Sequence, residues 1–169
     1  MPSASSPLRI PVADLLRRPG ASREIQVEAR LADVRTAGAE VTADRPVEVD
    51  ATLERISDGI VVRGTVNAHW NALCSRCLAA VEGNATVHVD ELFEPHPLEG
   101  ETYRLDDDIV DLEPMIRDAL VFEMPAAPLC DPDCAGLCPT CGADRNTTTC
   151  DCHVEDVDPR WAALRSLEL

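Results

Sequence analysis

Eight cysteines stand in close pairs along the chain: Cys74-x2-Cys77, Cys130-x3-Cys134, Cys138-x2-Cys141 and Cys150-x-Cys152. Thiolates at such spacing are metal ligands, because two cysteines in one tight turn can both point at a single ion. Four of them close the tetrahedral shell of a structural zinc, each sulfur about 2.3 Å from the metal. Eight divides into two such sets, so two structural zinc ions per chain are expected. Cys138-Pro-Thr-Cys141-Gly142 fits a zinc knuckle well, since glycine after the second cysteine lets backbone amides approach the sulfurs. Cys150-Asp-Cys152 can complete that set locally, with residues 143–149 as a short hairpin or loop. Cys74 and Cys77 would then join Cys130 and Cys134, about fifty residues further on, and tie a hairpin turn to a distant segment. Four pairs combine two by two in three ways. Local closure favours this split, while the spacing leaves a crossed arrangement open.

Nothing in the chain points to catalysis. A catalytic zinc keeps a position open for water and generally uses histidine or carboxylate ligands. The four histidines, His69, His88, His96 and His153, are scattered, with no His-x-x-x-His pair. His69 and His88 fall on polar strand faces and read as solvated; His153 is a weak substitute for a cysteine ligand. Asp106, Asp107, Asp108 and Asp111 read as a solvated acidic loop and a helix start rather than a cation site. Arg9, Arg17, Arg18 and Arg23 form the one basic cluster, with the surface end of a helix as its simplest meaning. No phosphate-cradling glycine loop is present. The prediction is a non-enzyme with no catalytic or cofactor-binding residue beyond the cysteines.

Charge and composition bound what surrounds these cysteines. The 169 residues hold 15 cations, all of them Arg, against 31 acids, a formal net charge of −16. Residues 1–46 carry 7 Arg and 6 acids, whereas residues 90–123 carry 12 acids and 2 Arg. A divalent ion with four thiolates leaves −2, so two sites take the formal charge to −20. Such a surface repels phosphates and excludes general nucleic-acid binding. A small Arg-bearing face or a basic protein partner is what remains. Met1–Pro7 reads as a disordered leader without the basic and apolar regions of a secretory signal, and no apolar run reaches the roughly 20 residues of a membrane helix. A cytoplasmic protein without a membrane or small-molecule partner is expected, where paired cysteines hold metal rather than disulfides.

The elements that position the cysteines are mostly strands. Residues 12–18 read as a short helix stopped by Pro19-Gly20, and residues 23–31 as a strand with Ile25, Val27 and Ala29 on one face. Residues 38–46 and 94–108 read as loops. Between them, Val47–Leu53, Val62–Ala72 and Val81–Val89 alternate apolar and polar residues, the signature of an antiparallel meander with one buried face. Cys74–Cys77 falls at the turn joining two of these strands. Asp111 caps a helix carrying Leu112, Met115, Ile116, Ala119 and Leu120 at helical spacing, and Pro125 ends it. A final helix is expected from Asp158-Pro159, docking Trp161, Leu164 and Leu167. The reading is α+β: an antiparallel-sheet domain over 8–125, then a zinc-stapled cysteine-rich segment and helix over 126–169.

These strings resemble a known family. Cys74-Ser-Arg-Cys77-Leu78, the acidic loop, Asp111-Leu112 opening a helix that ends at Pro125, Pro128-Leu-Cys130, Cys134-Ala-Gly-Leu-Cys138-Pro-Thr-Cys141-Gly142 and Cys150-x-Cys152 are together similar to the bacterial YceD family, the large ribosomal RNA subunit accumulation proteins. The resemblance covers roughly residues 8–169. The Leu15-Leu-Arg-Arg-Pro-Gly20 stretch resembles the version found in high-GC Gram-positive bacteria. It implies a non-enzymatic ribosome-biogenesis factor supporting accumulation or processing of large-subunit (23S) rRNA, partnered with that rRNA or a pre-ribosomal particle. Ala135 stands where many relatives carry Lys, which removes a phosphate-binding cation near the cysteines, and Asp144-Arg145-Asn146 replaces a common Asn-Leu-Asn. The other reading is a zinc-stabilised acidic adaptor for protein partners outside ribosome assembly.

Overall fold

The computed structural model describes residues 6–152. Alternating apolar residues build its centre: β4 (Val47–Arg55), β5 (Ile60–Leu73) and β6 (Ala80–Glu94) form the expected antiparallel meander. β5 and β6 pair over fourteen residues, from Ile60↔Phe93 to Leu73↔Ala80. β2 (Ser22–Ala29) adds to the far edge of β4. One face of these strands is apolar, with Val49, Leu53, Val62, Val66, Ala68, Ala85 and Val89 buried.

Three short strands complete a curled mixed sheet, and a fourth extends its edge. β7 (Tyr103–Asp106) runs parallel to the end of β6, pairing at Phe93↔Tyr103 and Glu94↔Arg104. β8 (Ile109–Asp111) forms a hairpin with β7, and β1 (Arg9–Pro11) pairs with β8. β3 (Ala39–Val41) pairs with β5 beyond the end of β4. The loops expected over 38–46 and 94–108 are therefore partly strand. Each such strand is three or four residues long, too short to show alternation, and its partner is set by the fold rather than by local pattern. Tyr103 stacks on fully buried Phe93 with ring centroids 5.2 Å apart, which fixes the β6–β7 step.

Among the described residues two short helices cover the sheet. α1 (Ala13–Leu16) inserts Leu15. α2 (Glu113–Glu123) buries Met115, Ile116 and Leu120 against β5 and β6, each contributing about 1.5–3 kcal/mol by leaving water. Its N-cap is Leu112, one residue later than expected, but Asp111 Oδ1 still accepts the Glu113 amide at 3.1 Å. Met124 is extended, as the residue before Pro125 must be. Among the described residues no helix is long and apolar enough to cross a membrane. The expected C-terminal helix with Trp161, Leu164 and Leu167 lies outside the described residues, as does His153.

Candidate metal centres

The turn between β5 and β6 is made by residues 74–79. The Leu78 amide donates to the Cys74 carbonyl at 2.9 Å, and the Cys74 amide donates to the Ala79 carbonyl at 2.8 Å. The segment around Cys138 repeats that pattern: Gly142 donates to the Cys138 carbonyl and Cys138 to the Ala143 carbonyl, both at 2.8 Å. The fifth residue of each turn is left-handed, Leu78 at φ 61° and Gly142 at φ 74°. Cys-x-x-Cys therefore makes the same knuckle twice, once closing a hairpin and once in a segment without strands.

Each knuckle meets one further cysteine pair. The sulfurs of Cys74, Cys77, Cys130 and Cys134 all lie within 4.8 Å of one another, and so do those of Cys138, Cys141, Cys150 and Cys152. The split favoured by local closure is the one that forms, and the crossed pairings do not. Sγ atoms of Cys74 and Cys134 stand 3.8 Å apart and those of Cys77 and Cys130 3.4 Å. A tetrahedron with bonds of about 2.3 Å has edges of about 3.8 Å, whereas a disulfide would require about 2.05 Å. All eight cysteines are unbridged. Separations of this order fit a metal ion rather than a disulfide, and both tetrads are close enough to hold one.

The hydrogen-bond chemistry of the sulfurs is asymmetric in the same way at both sites. The Cys74 thiol is pulled down to about 6, first by the Cys77 backbone amide and against the effect of burial. The Cys138 thiol is pulled down to about 6 first by the amide of Cys141, then by that of Thr140. Cys130 is pushed up to about 12 by hydrogen bonding with Cys77 and then Cys134, and Cys152 to about 12 by hydrogen bonding with Cys141. Four sulfurs packed together cannot all ionise without a cation, so one becomes thiolate and others keep protons. A divalent ion, if bound, would replace those protons and allow every sulfur to ligate.

Three residues bind the two centres to each other and to the sheet. Arg76, inside the first knuckle, donates from Nη1 to the carbonyls of Cys134 at 2.9 Å and Pro132 at 3.3 Å, while its own carbonyl accepts the Leu137 amide at 3.0 Å. Gly136, at φ 70°, lies against Arg76, where an added Cβ would stand 3.0 Å from the Arg76 carbonyl oxygen. Asn146, in the loop of the second tetrad, accepts the Ala135 amide at 2.7 Å and donates to Cys134 Sγ at 3.4 Å. Cysteine spacing does not signal Arg76 or Asn146. Their positions in the Cys74-Ser-Arg-Cys77 and Asp144-Arg-Asn146 strings are the only marks they leave.

The other candidates do not assemble. Among the described residues the two tetrads are the only groups of three or more histidine, cysteine or carboxylate side chains close enough to share an ion. Asp106, Asp107 and Asp108 lie exposed around the β7–β8 turn, and Asp111 serves the start of α2. Arg23 is paired with Asp14 at 3.2 Å and donates to the Pro11 carbonyl, while Arg9, Arg17 and Arg18 are exposed. His69 stands 3.1 Å from Arg45 on the polar face of β5.

Known proteins share this architecture's sequence signature. The family model described as large ribosomal RNA subunit accumulation protein YceD matches residues 62–168, a span that takes in both tetrads. The chain belongs to the YceD family. Uncharacterized proteins of Mycobacterium tuberculosis and Mycobacterium bovis are 37% identical to this YceD family member over 95% of its length and 81% of theirs. One from Mycobacterium leprae is 34% identical over 96% of this chain and 78% of that one. A chloroplastic large ribosomal RNA subunit accumulation protein, YCED homolog 1 of Arabidopsis thaliana, is 36% identical over 58 residues, 34% of this chain and 18% of that protein. No solved structure matches.

Proposed function

We propose that this YceD family member is a non-enzymatic, cytoplasmic ribosome-biogenesis factor that supports accumulation or processing of large-subunit (23S) rRNA, with structural zinc in both cysteine tetrads. The family match over residues 62–168 carries the ribosomal part of the reading, supported by the names of the plant relatives. The closed four-sulfur sets support zinc as a staple. Four thiolates per ion leave no position for water or substrate, and binding free energy at such a site becomes folding free energy. The acidic surface supports contact with rRNA through a small Arg-bearing face or through a basic protein, because most of the molecule repels phosphate.

Deleting the gene and profiling rRNA tests this function. Large-subunit rRNA should fall relative to small-subunit rRNA, or its precursors should accumulate, and re-expression should restore the ratio. Unchanged rRNA would favour the adaptor reading instead. Elemental analysis of freshly purified, reduced protein should find two zinc ions per chain; zero would remove the metal from the proposal.

A further inference from the structure

On α2, Phe122 is 90% exposed and Val121 beside it 42%. A large aromatic left in water is the informative kind of surface residue, more so in a chain with only five aromatics. Phe122 forms one lip of a cleft of about 500 Å³ between α2, the end of β6 and the loop entering β7. Tyr103 and Ala119, with buried Met115 beneath them, give it an apolar floor, while Glu91, Glu101 and Asp118 supply its charge. Among the described residues no cation lines the cleft. Arg117, which shares the helix, is turned to Glu113 at 2.7 Å and to the Ala32 carbonyl at 2.9 Å. Arg104 lines a different cavity with Asp106 and Asp107.

The acids are held in place around the apolar floor. The Tyr103 hydroxyl donates to Asp118 at 3.0 Å. Burial, then Asp90 and Asp118, pushes the Glu91 carboxyl up, as expected where like charges stand close together; Asp90 itself is paired with Arg63 at 3.0 Å. Beside the cleft, β7 pairs with β6 only at Phe93 and Glu94, and among the described residues no strand pairs with that side of β6 before them. That edge offers backbone hydrogen bonds to an extended segment.

We propose that the α2–β6 cleft is a docking site for an arginine- or lysine-rich segment of a protein partner, with one apolar side chain against Phe122 and Ala119 and its cations over Glu91, Glu101 and Asp118. The charge of the cleft excludes RNA as its occupant. Residues 153–169 of the chain itself are a poorer match, with four acids and two Arg. The inference deepens the ribosome-biogenesis reading by giving its basic partner a place to bind, and rests on that reading only for the setting in which such a partner occurs.

Fluorescence anisotropy on the full-length, metal-loaded protein tests it. The probe is a labelled peptide of about twelve residues alternating arginine, lysine and leucine, a length suited to an extended segment. An isomer with glutamate for the cations and a single-stranded RNA of equal length serve as controls. The basic peptide should bind and neither control should compete. Phe122→Ser should weaken binding by about tenfold and Glu101→Arg by at least about threefold, with circular dichroism unchanged. Undiminished binding to Phe122→Ser, no binding at all, or competition by the RNA would overturn the proposal. Tighter peptide binding after removal of residues 153–169 would assign the cleft to the chain's own tail instead. The readout is independent of rRNA: a deletion strain with normal rRNA removes the biogenesis reading and leaves a Phe122-dependent peptide interaction standing.

Discussion

Cys74–Cys77 and Cys138–Cys141 fold into one and the same knuckle, yet the two do different work. The first closes the β5–β6 hairpin and takes its remaining sulfurs from across the chain, with Cys77 facing Cys130 53 residues away and Cys74 facing Cys134 60 residues away. The second takes both remaining sulfurs from within residues 138–152. Burial follows connectivity. In the first tetrad Cys74, Cys77 and Cys134 are buried and pack with Val81, Leu129 and Leu137 as a small core of their own, with Cys130 exposed, whereas in the second Cys138 alone is buried, Cys141 is exposed and Cys150 and Cys152 are half-buried. Removing the first staple frees a long loop and opens a hairpin end, while removing the second frees only the segment it encloses. The first tetrad is part of the fold; the second is a clasp attached to it.

That difference is open to attack, most strongly through the ligands. Cys74→Ser should lower the unfolding temperature of the whole sheet by more than about 10 °C, whereas Cys138→Ser should leave its main transition within a few degrees and loosen only the cysteine-rich segment. Circular dichroism melting with metal counting measures both, and equal losses would erase the distinction. A chelator should then strip the metal in two phases, the exposed tetrad at least about tenfold faster than the buried one, as followed with a chromogenic zinc indicator. Single-phase release would show the sites to be one unit.

Asn146→Ala tests the buckle between them. It removes the bonds to Ala135 and Cys134 and should cost about 1 kcal/mol by chemical denaturation, while narrowing the gap between the two release phases. Proton counting probes what the tetrads share. Cys74 and Cys138 sit near 6, below their ordinary 9, so their stabilising contribution in the metal-free chain is present above about 9 and lost as pH falls through 6. Cys130 and Cys152, raised to about 12, contribute below about 9 and lose that contribution as pH climbs toward 12. Near pH 7.5 one thiolate in each tetrad is already formed, so calorimetry in buffers of different ionisation enthalpy should find fewer than four protons released per ion. Four would show that the metal-free tetrads do not hold together.

The smallest effect is a swap at the fifth residue of each knuckle. Gly142→Leu forces a side chain into the left-handed region and should cost about 1 kcal/mol, the added Cβ itself standing in open space with nothing within 4 Å. Leu78→Gly removes that strain but adds freedom to the unfolded chain, so it should change stability by less than about 0.5 kcal/mol in either direction. Denaturant unfolding resolves the two.

The meander and the cysteine split are both legible in the sequence. Residues 47–89 alternate with period two over three strands long enough for the pattern to stand out, and a local closure is the least costly pairing for Cys138–Cys152 in chain entropy. β1, β3, β7 and β8 are not legible there. Their three- and four-residue stretches carry no periodicity of their own, and Ile10 becomes strand only because Val110 lies opposite it. Arg76 and Asn146 escape notice for a related reason, since both act through hydrogen bonds to residues that only the folded chain brings near.

What the sequence determined by itself is therefore local: knuckles, strand alternation, the α2 stripe and the sign of each region's charge follow from residue type and short spacing. The tertiary structure decided everything that depends on distant segments meeting. It set Cys130 and Cys134 on the hairpin end, turned a supposed loop into the parallel step beside β6, and left Phe122 uncovered over an acidic cleft. Short-range chemistry is written along the chain, whereas burial and long-range pairing are set by which surfaces must leave water together.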